Sequence, residues 1–323
     1  RAFSASAEQT SQVPAGAQVL ISWAEEERDP PDGGAADLGT DLGPDLGPDL
    51  ASPPDLLTPA DLSAPPDLLP PPPPPCPYQV MTEPKSGVQF VRVCAGEFEM
   101  GSQKTDKEAE ADEKPPYRVH LDAFWIGKYE VSNGQYRRFK PEHKSTFEGD
   151  KGENLPVQDV NWNEAKAYCS WLGGALPTEA EWEFAARGTD GRKYPWKTGA
   201  PVPGRATVGR TFDQGPEGID ANPKGRGPFG TLNQAGNVWE WVADCYQDDI
   251  YKIRKLQSDK NKPPTLINNP FLDKLDCSGR VLRGGSFFYE PQVLRSAGRD
   301  GFVPTGRGWV IGFRCVRGSR RQP

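Results

Sequence analysis

The chain has 323 residues, with 38 basic and 45 acidic side chains, 35 Pro, 35 Gly and only two His. That length suits one large domain plus an appendage, and no apolar run approaches the roughly 20 residues of a membrane helix. Two histidines exclude a three-histidine metal site built within this chain.

Residues 1–28 carry no readable pattern beyond the short apolar run QVLISWA at 18–24. The chain opens on Arg1 rather than Met, so the expectation is a missing start, where a lipid anchor would sit. Residues 29–75 hold fifteen Pro and nine Asp, with no Lys, Arg or aromatic residue. The repeat DLGPDLGPDL ends in six prolines before Cys76. Such a stretch cannot bury enough apolar surface to offset its ordering entropy. Prolines extend it and the spaced aspartates repel one another, so it reads as a disordered spacer. Residues 1–75 carry a net −11, which leaves 76–323 with 36 basic against 32 acidic residues. No basic patch marks a nucleic-acid binder.

The domain, 76–323, opens with alternating segments at 88–93 (VQFVRV), 97–101 (EFEMG) and 117–126 (YRVHLDAFWI), which read as strands. His120 falls on the face opposite Val119 and Leu121 and reads as a structural polar residue. Ser132 is a good N-cap for a helix over 133–139. A second helix is expected over 163–172, with Ala165, Tyr168, Cys169 and Leu172 at helical spacing. Thr178 and Glu181 form a T-x-x-E capping box for a third, ending at Arg187. Loop residues dominate 188–236, and short strands return at 238–243, 280–284 and 312–316. The fold class is α+β with little regular structure.

The six cysteines, Cys76, Cys94, Cys169, Cys245, Cys277 and Cys315, form no C-x-x-C and no zinc pattern. An even count scattered over a large domain suits three disulfides in an oxidising compartment. The expected location is therefore extracytoplasmic: periplasm, outer surface or secreted.

Five motifs stand in order: DVNWNEAKAYCSW (159–171), LPTEAEWE (176–183), GNVWEW (236–241), RVLRGGS (280–286) and GFRC (312–315). Together they resemble the formylglycine-generating enzyme family, also called the sulfatase-modifying factor domain, over about 88–317. The resemblance implies a complex C-type-lectin-like fold. It also implies a disulfide between Cys169 and Cys315. Cys245 and Cys277 flank an insertion at 246–276 and would staple it, leaving Cys76 and Cys94 to tie the domain's start to its first strands. Six cysteines allow fifteen pairings.

The family's enzyme oxidises a substrate cysteine to formylglycine with oxygen and copper, using two thiols just after R-x-x-G-G-S. Soft thiolates suit Cu(I). Here Tyr289 stands at the first thiol's place, and no cysteine lies between Ser278 and Arg314. A copper site of that kind is not expected. The iron-dependent branch of the family takes metal ligands from a helical bundle that this chain lacks. The metal the resemblance does imply is Ca²⁺, through Asn233, Gly236, Val238 and Glu240, hard oxygen donors from one short loop. A second calcium loop over 207–219 is not carried over, because Thr207 replaces the expected Asn.

Trp162, Trp171, Trp182, Trp239 and Trp241 lie inside fold motifs and read as core. Gly284 and Gly285 read as turn residues with special backbone angles. Phe287, Phe288, Tyr289, Arg295, Arg299, Arg307 and Trp309 fall where the family forms its substrate groove. Two function classes follow. One is a surface-tethered domain that binds a peptide, protein or glycan without formylglycine chemistry. The other is an oxidoreductase of the same family acting by a site that does not use the cysteine pair.

Overall fold

The computed structural model describes residues 76–148, 152–260, 265–274 and 276–318. The N-terminal segment and spacer expected for 1–75 lie outside the described residues.

Alternation sets the first strands: β1 (Val80–Thr82), β2 (Gln89–Val93), β3 (Gly96–Met100), β4 (Tyr117–Leu121) and β5 (Phe124–Gly127). In β4, Tyr117, Val119 and Leu121 are buried while Arg118 is exposed and His120 half-buried, as a two-residue period requires. The single strand expected over 117–126 is two strands in different sheets. The chain turns at Asp122, whose N–H donates to the Asn269 side chain at 2.8 Å.

Three helices follow: α1 (Asn133–Arg137), α2 (Trp162–Trp171) and α3 (Glu179–Arg187). Each opens with a capping box, Ser132 with Gln135, Asn161 with Glu164 and Thr178 with Glu181, which satisfies the helix's first free N–H groups. Every residue of α3 is buried. A fourth helix, α4 (Ile250–Asp259), lies in the 246–276 insertion and buries Ile250, Tyr251 and Ser258. The sequence reading placed no helix there, since so few of its positions are apolar.

The remaining strands are β6 (Trp239–Cys245), β7 (Ile267–Asn268), β8 (Arg280–Arg283), β9 (Arg299–Phe302), β10 (Ile311–Phe313) and β11 (Val316–Arg317). They complete three sheets, ordered β1-β2-β5-β11, β10-β6-β8-β9 and β3-β4-β7. The strand expected over 312–316 is two short strands. β10 runs parallel to β6 and β11 antiparallel to β5, so Arg314 and Cys315 cross between sheets. β9 was not anticipated because RDGF does not alternate; its pairing with β8 creates it.

The cysteines pair as Cys76–Cys94, Cys169–Cys315 and Cys245–Cys277. Their Cα separations of 5.7, 5.5 and 5.7 Å sit within the range a disulfide spans. Trp162, Trp182, Trp239 and Trp241 are buried, and Trp171 packs against the same core.

Candidate functional site

The site grows out of β8. Gly284 and Gly285 follow it with φ of 94° and 71°, the left-handed region where glycine alone is unstrained. A Cβ at Gly284 would stand 3.1 Å from the Trp182 ring, and one at Gly285 2.8 Å from Leu294. The turn delivers residues 286–289 to a slot between two loops. Phe287 N–H donates to the Asn237 carbonyl at 2.8 Å, and its own carbonyl accepts from Arg210 N–H at 2.8 Å. The Tyr289 carbonyl accepts from Gly209 N–H at 3.1 Å.

Aromatic rings gather around this segment. Phe288 packs edge-on against Trp309 at 5.0 Å. Phe212 meets Trp309 at 5.1 Å and Phe147 at 5.1 Å, and Phe287 closes the group against Phe147 at 5.6 Å. Phe288 is 41% exposed, Phe147 and Phe212 are half-buried, and Phe287 and Trp309 lie beneath. Phe147 and Phe212 were missed from sequence. They come from loops far away in the chain, with no motif to mark them.

The expected groove needs correction at its arginines. Arg295 is buried and grips Glu113 with both terminal nitrogens, while its Nε donates to the Gln292 carbonyl at 3.0 Å. Arg299 is buried against Glu179, Nε to Oε1 at 2.7 Å, and its guanidinium lies over the rings of Tyr246 and Tyr251. Arg307 is exposed but spans Glu164 with both Nη atoms. Burial opposes ionisation of Glu164, yet hydrogen bonds from Arg307, the Asn161 amide and Lys140 outweigh it and hold the carboxyl down to about 2. These charges fasten the fold: desolvated guanidinium groups persist inside a protein only when carboxylates and carbonyls meet them. Of the seven expected groove residues, Phe288 and Arg307 alone are exposed.

Arg283 fixes the outgoing chain. It is fully buried, pairs with Glu183, and donates to the carbonyls of Ser296, Ala297 and Gly298 at 2.9, 2.8 and 2.7 Å. The R-x-x-G-G-S motif therefore shapes the segment on both sides, by its arginine and by its glycines.

The residues expected for calcium are buried together, and the side chains of Glu240 and Asn233 meet partners within the protein. Glu240 receives Arg314 at both oxygens, each at 2.6 Å, and the Trp182 indole N–H at 2.8 Å. Asn233 donates to Glu130 and to the Ile219 carbonyl, each at 2.9 Å, and its side-chain oxygen accepts from Asn222. Gly236 donates its N–H to the Gly284 carbonyl, and Val238 is fully buried between them in sequence. A metal at Glu240 would share the carboxylate with a guanidinium that already neutralises it. Nearby, burial pushes the Glu130 carboxyl up to about 8, since Arg314 offsets only part of that cost and Glu240 adds to it.

A family model for the sulfatase-modifying factor enzyme 1-like domain matches residues 77–319. The chain is 30% identical over 292 residues to the formylglycine-generating enzyme of Thermomonospora curvata, spanning 70% of this chain and 92% of that protein. It is 34% identical over 295 residues to inactive C-alpha-formylglycine-generating enzyme 2 of Bos taurus, spanning 73% of this chain and 90% of that protein. Among solved structures, PvdO from Pseudomonas aeruginosa aligns with a TM-score of 0.62 at 24% identity, covering 75% of this chain and 98% of that one. At that identity the likeness speaks to the fold. The chain belongs to the sulfatase-modifying factor, or formylglycine-generating enzyme, domain family.

Proposed function

We propose that this chain is a binding member of the family, exported and tethered at a surface, which holds a peptide or glycan at the patch around Phe288 and Trp309 without making formylglycine. One observation carries the reading. All six cysteines of the chain are consumed in disulfides and no free thiol remains. Thiolates are the soft donors that hold Cu(I), and Tyr289 stands where the family's first thiol would be. The relative named as inactive, at 34% identity, is in keeping with a family fold kept without that chemistry. Three disulfides also suit an oxidising compartment outside the cytoplasm. Among the described residues no helix is long and apolar enough to cross a membrane.

An exposed aromatic lip over a buried floor is the common form of a binding site, where apolar contact supplies the affinity and a few polar groups the orientation. The test is direct. The purified chain, supplied with Cu(I) in air, is incubated with a peptide carrying Cys-x-Pro-x-Arg, and the peptide mass is followed. The expected result is unchanged mass; conversion of the cysteine to an aldehyde would overturn the reading.

A further inference from the structure

Beneath the aromatic lip lies a set of buried polar groups that the fold pairs only in part. Cross-strand neighbours in a sheet project from one face. Trp241 pairs with Leu282 and Leu282 with Asp300, so Trp239, Trp241, Leu282 and Asp300 share one face of the β6-β8-β9 sheet. Glu240, Arg283 and Arg299 share the other. Asp300 thus points into the apolar side, away from Arg283 and Arg299 on the other face. It is 5% exposed, and its hydrogen bond is from the N–H of Gly301 at 2.7 Å. No lysine or arginine among the described residues pairs with it. Burial pushes its carboxyl up to about 7, against the pull of the Gly301 N–H, with Asp112 and Glu110 adding to the rise.

Trp239 supplies the complementary group. It is 2% exposed, and its indole N–H turns to the Tyr289 hydroxyl in a hydrogen bond outside normal geometry. Tyr289 stands edge-on to it at 5.9 Å, and burial together with the Asp300 charge drives the Tyr289 hydroxyl well above its ordinary range. Ring contacts run without a break to the surface: Trp239 to Tyr289, Tyr289 to Phe288 at 6.3 Å, and Phe288 to Trp309 at 5.0 Å.

A buried donor with a poorly aligned acceptor and a buried carboxyl without a cation are costly to leave so. They invite hydrogen-bonding groups that can both accept and donate. A hydroxyl does both. The arginines around the patch are already paired and burial favours the neutral form of Asp300, so nothing there asks the ligand for charge. A sugar ring joins hydroxyls to an apolar C–H face, which packs on aromatic rings. We propose that Trp239, Tyr289 and Asp300 form the polar floor, and Phe288 and Trp309 the apolar wall, of a site for a neutral carbohydrate. This rests on the binding function proposed above and names the class of its ligand.

The experiment titrates the full chain with neutral cello-, chito-, malto- and manno-oligosaccharides, following tryptophan fluorescence and heat. One series is expected to bind and to quench or shift the emission. Phe288→Ala, at an exposed position, is expected to weaken binding about tenfold or more, with melting unchanged, as loss of one good contact predicts. Asp300→Asn and Trp239→Phe should weaken it similarly; should either fail to fold, Tyr289→Phe and Phe288→Ala carry the test. Sugar binding that all folded variants keep would overturn the site. If no sugar binds while arrayed peptides do, in a manner lost with Phe288→Ala, the carbohydrate proposal falls and the binding function stands. If neither class binds, both fall.

Discussion

Arg314 and Glu240 meet at two points inside the fold, Nε on Oε2 and Nη2 on Oε1, each at 2.6 Å. Both side chains are fully buried. Arg314 also donates to the carbonyls of Gly127 and Leu232 at 3.0 and 2.8 Å. One residue thereby joins β5, β6, β10 and the loop before β6.

Removing one partner of such a pair strands the other charge. Glu240→Ala is expected to cost about 3–5 kcal/mol, read as a lowered denaturation midpoint. Glu240→Gln should cost less, because it keeps an acceptor for Arg314 and Trp182. With Arg314 already in place, melting in millimolar calcium and in excess chelator is expected to coincide. A calcium-dependent rise that Glu240→Ala removes would put a cation at Glu240 and overturn this account of the loop.

The three disulfides should rank by the chain they close. Their separations are 18, 32 and 146 residues for Cys76–Cys94, Cys245–Cys277 and Cys169–Cys315. Chain entropy gives about 3, 3.5 and 5 kcal/mol before native strain is subtracted. Paired Cys→Ser replacements measured by chemical denaturation check the order. Cys169→Ser with Cys315→Ser is expected to be the most damaging, since it also loosens α2 from the crossing between β10 and β11.

Glu164 gives an acid-side dependence. Its folded carboxyl lies at about 2 against an ordinary 4.5, so the stability it adds is present above about 4.5 and lost as pH falls toward 2. Arg307 is 45% exposed, which limits the pair to roughly 0.5–1 kcal/mol. Arg307→Ala should therefore lower the denaturation midpoint slightly near neutrality and close the gap at about pH 2. A gap of unchanged size in acid would assign Arg307 to packing instead.

Glu130 works in the opposite direction. Its folded carboxyl is raised to about 8 from an ordinary 4.5. The unfolded chain then releases the proton first, and stability declines as pH rises through that window. Glu130→Gln is expected to flatten the decline, even though its amide meets the donor groups of Asn233 and Asn237 and lowers stability overall. Urea midpoints across the window measure the slope; an unaltered slope would move its source elsewhere.

Local signals fixed much of this protein in advance. The capping residues Ser132 and Thr178 announce their helices because a helix start is a property of four adjacent residues. The five ordered motifs carried the family, and the absence of cysteines between Ser278 and Arg314 was plain in the residue types themselves. Other features depend on partners distant in the chain. β9 exists because Arg283 and Leu282 lie beside Arg299 and Asp300, and nothing in RDGF signals that pairing. Arg295 and Arg299 read as groove residues by position, yet Glu113 and Glu179 from other elements take them into the interior. Phe147 and Phe212 reach the aromatic lip from loops without a pattern. The face on which Asp300 lies likewise follows from strand register. Sequence determined which elements and which chemistry were available; tertiary packing alone decided which charges were neutralised and which polar groups were left open, because burial and pairing are set by neighbours that the chain brings together only on folding.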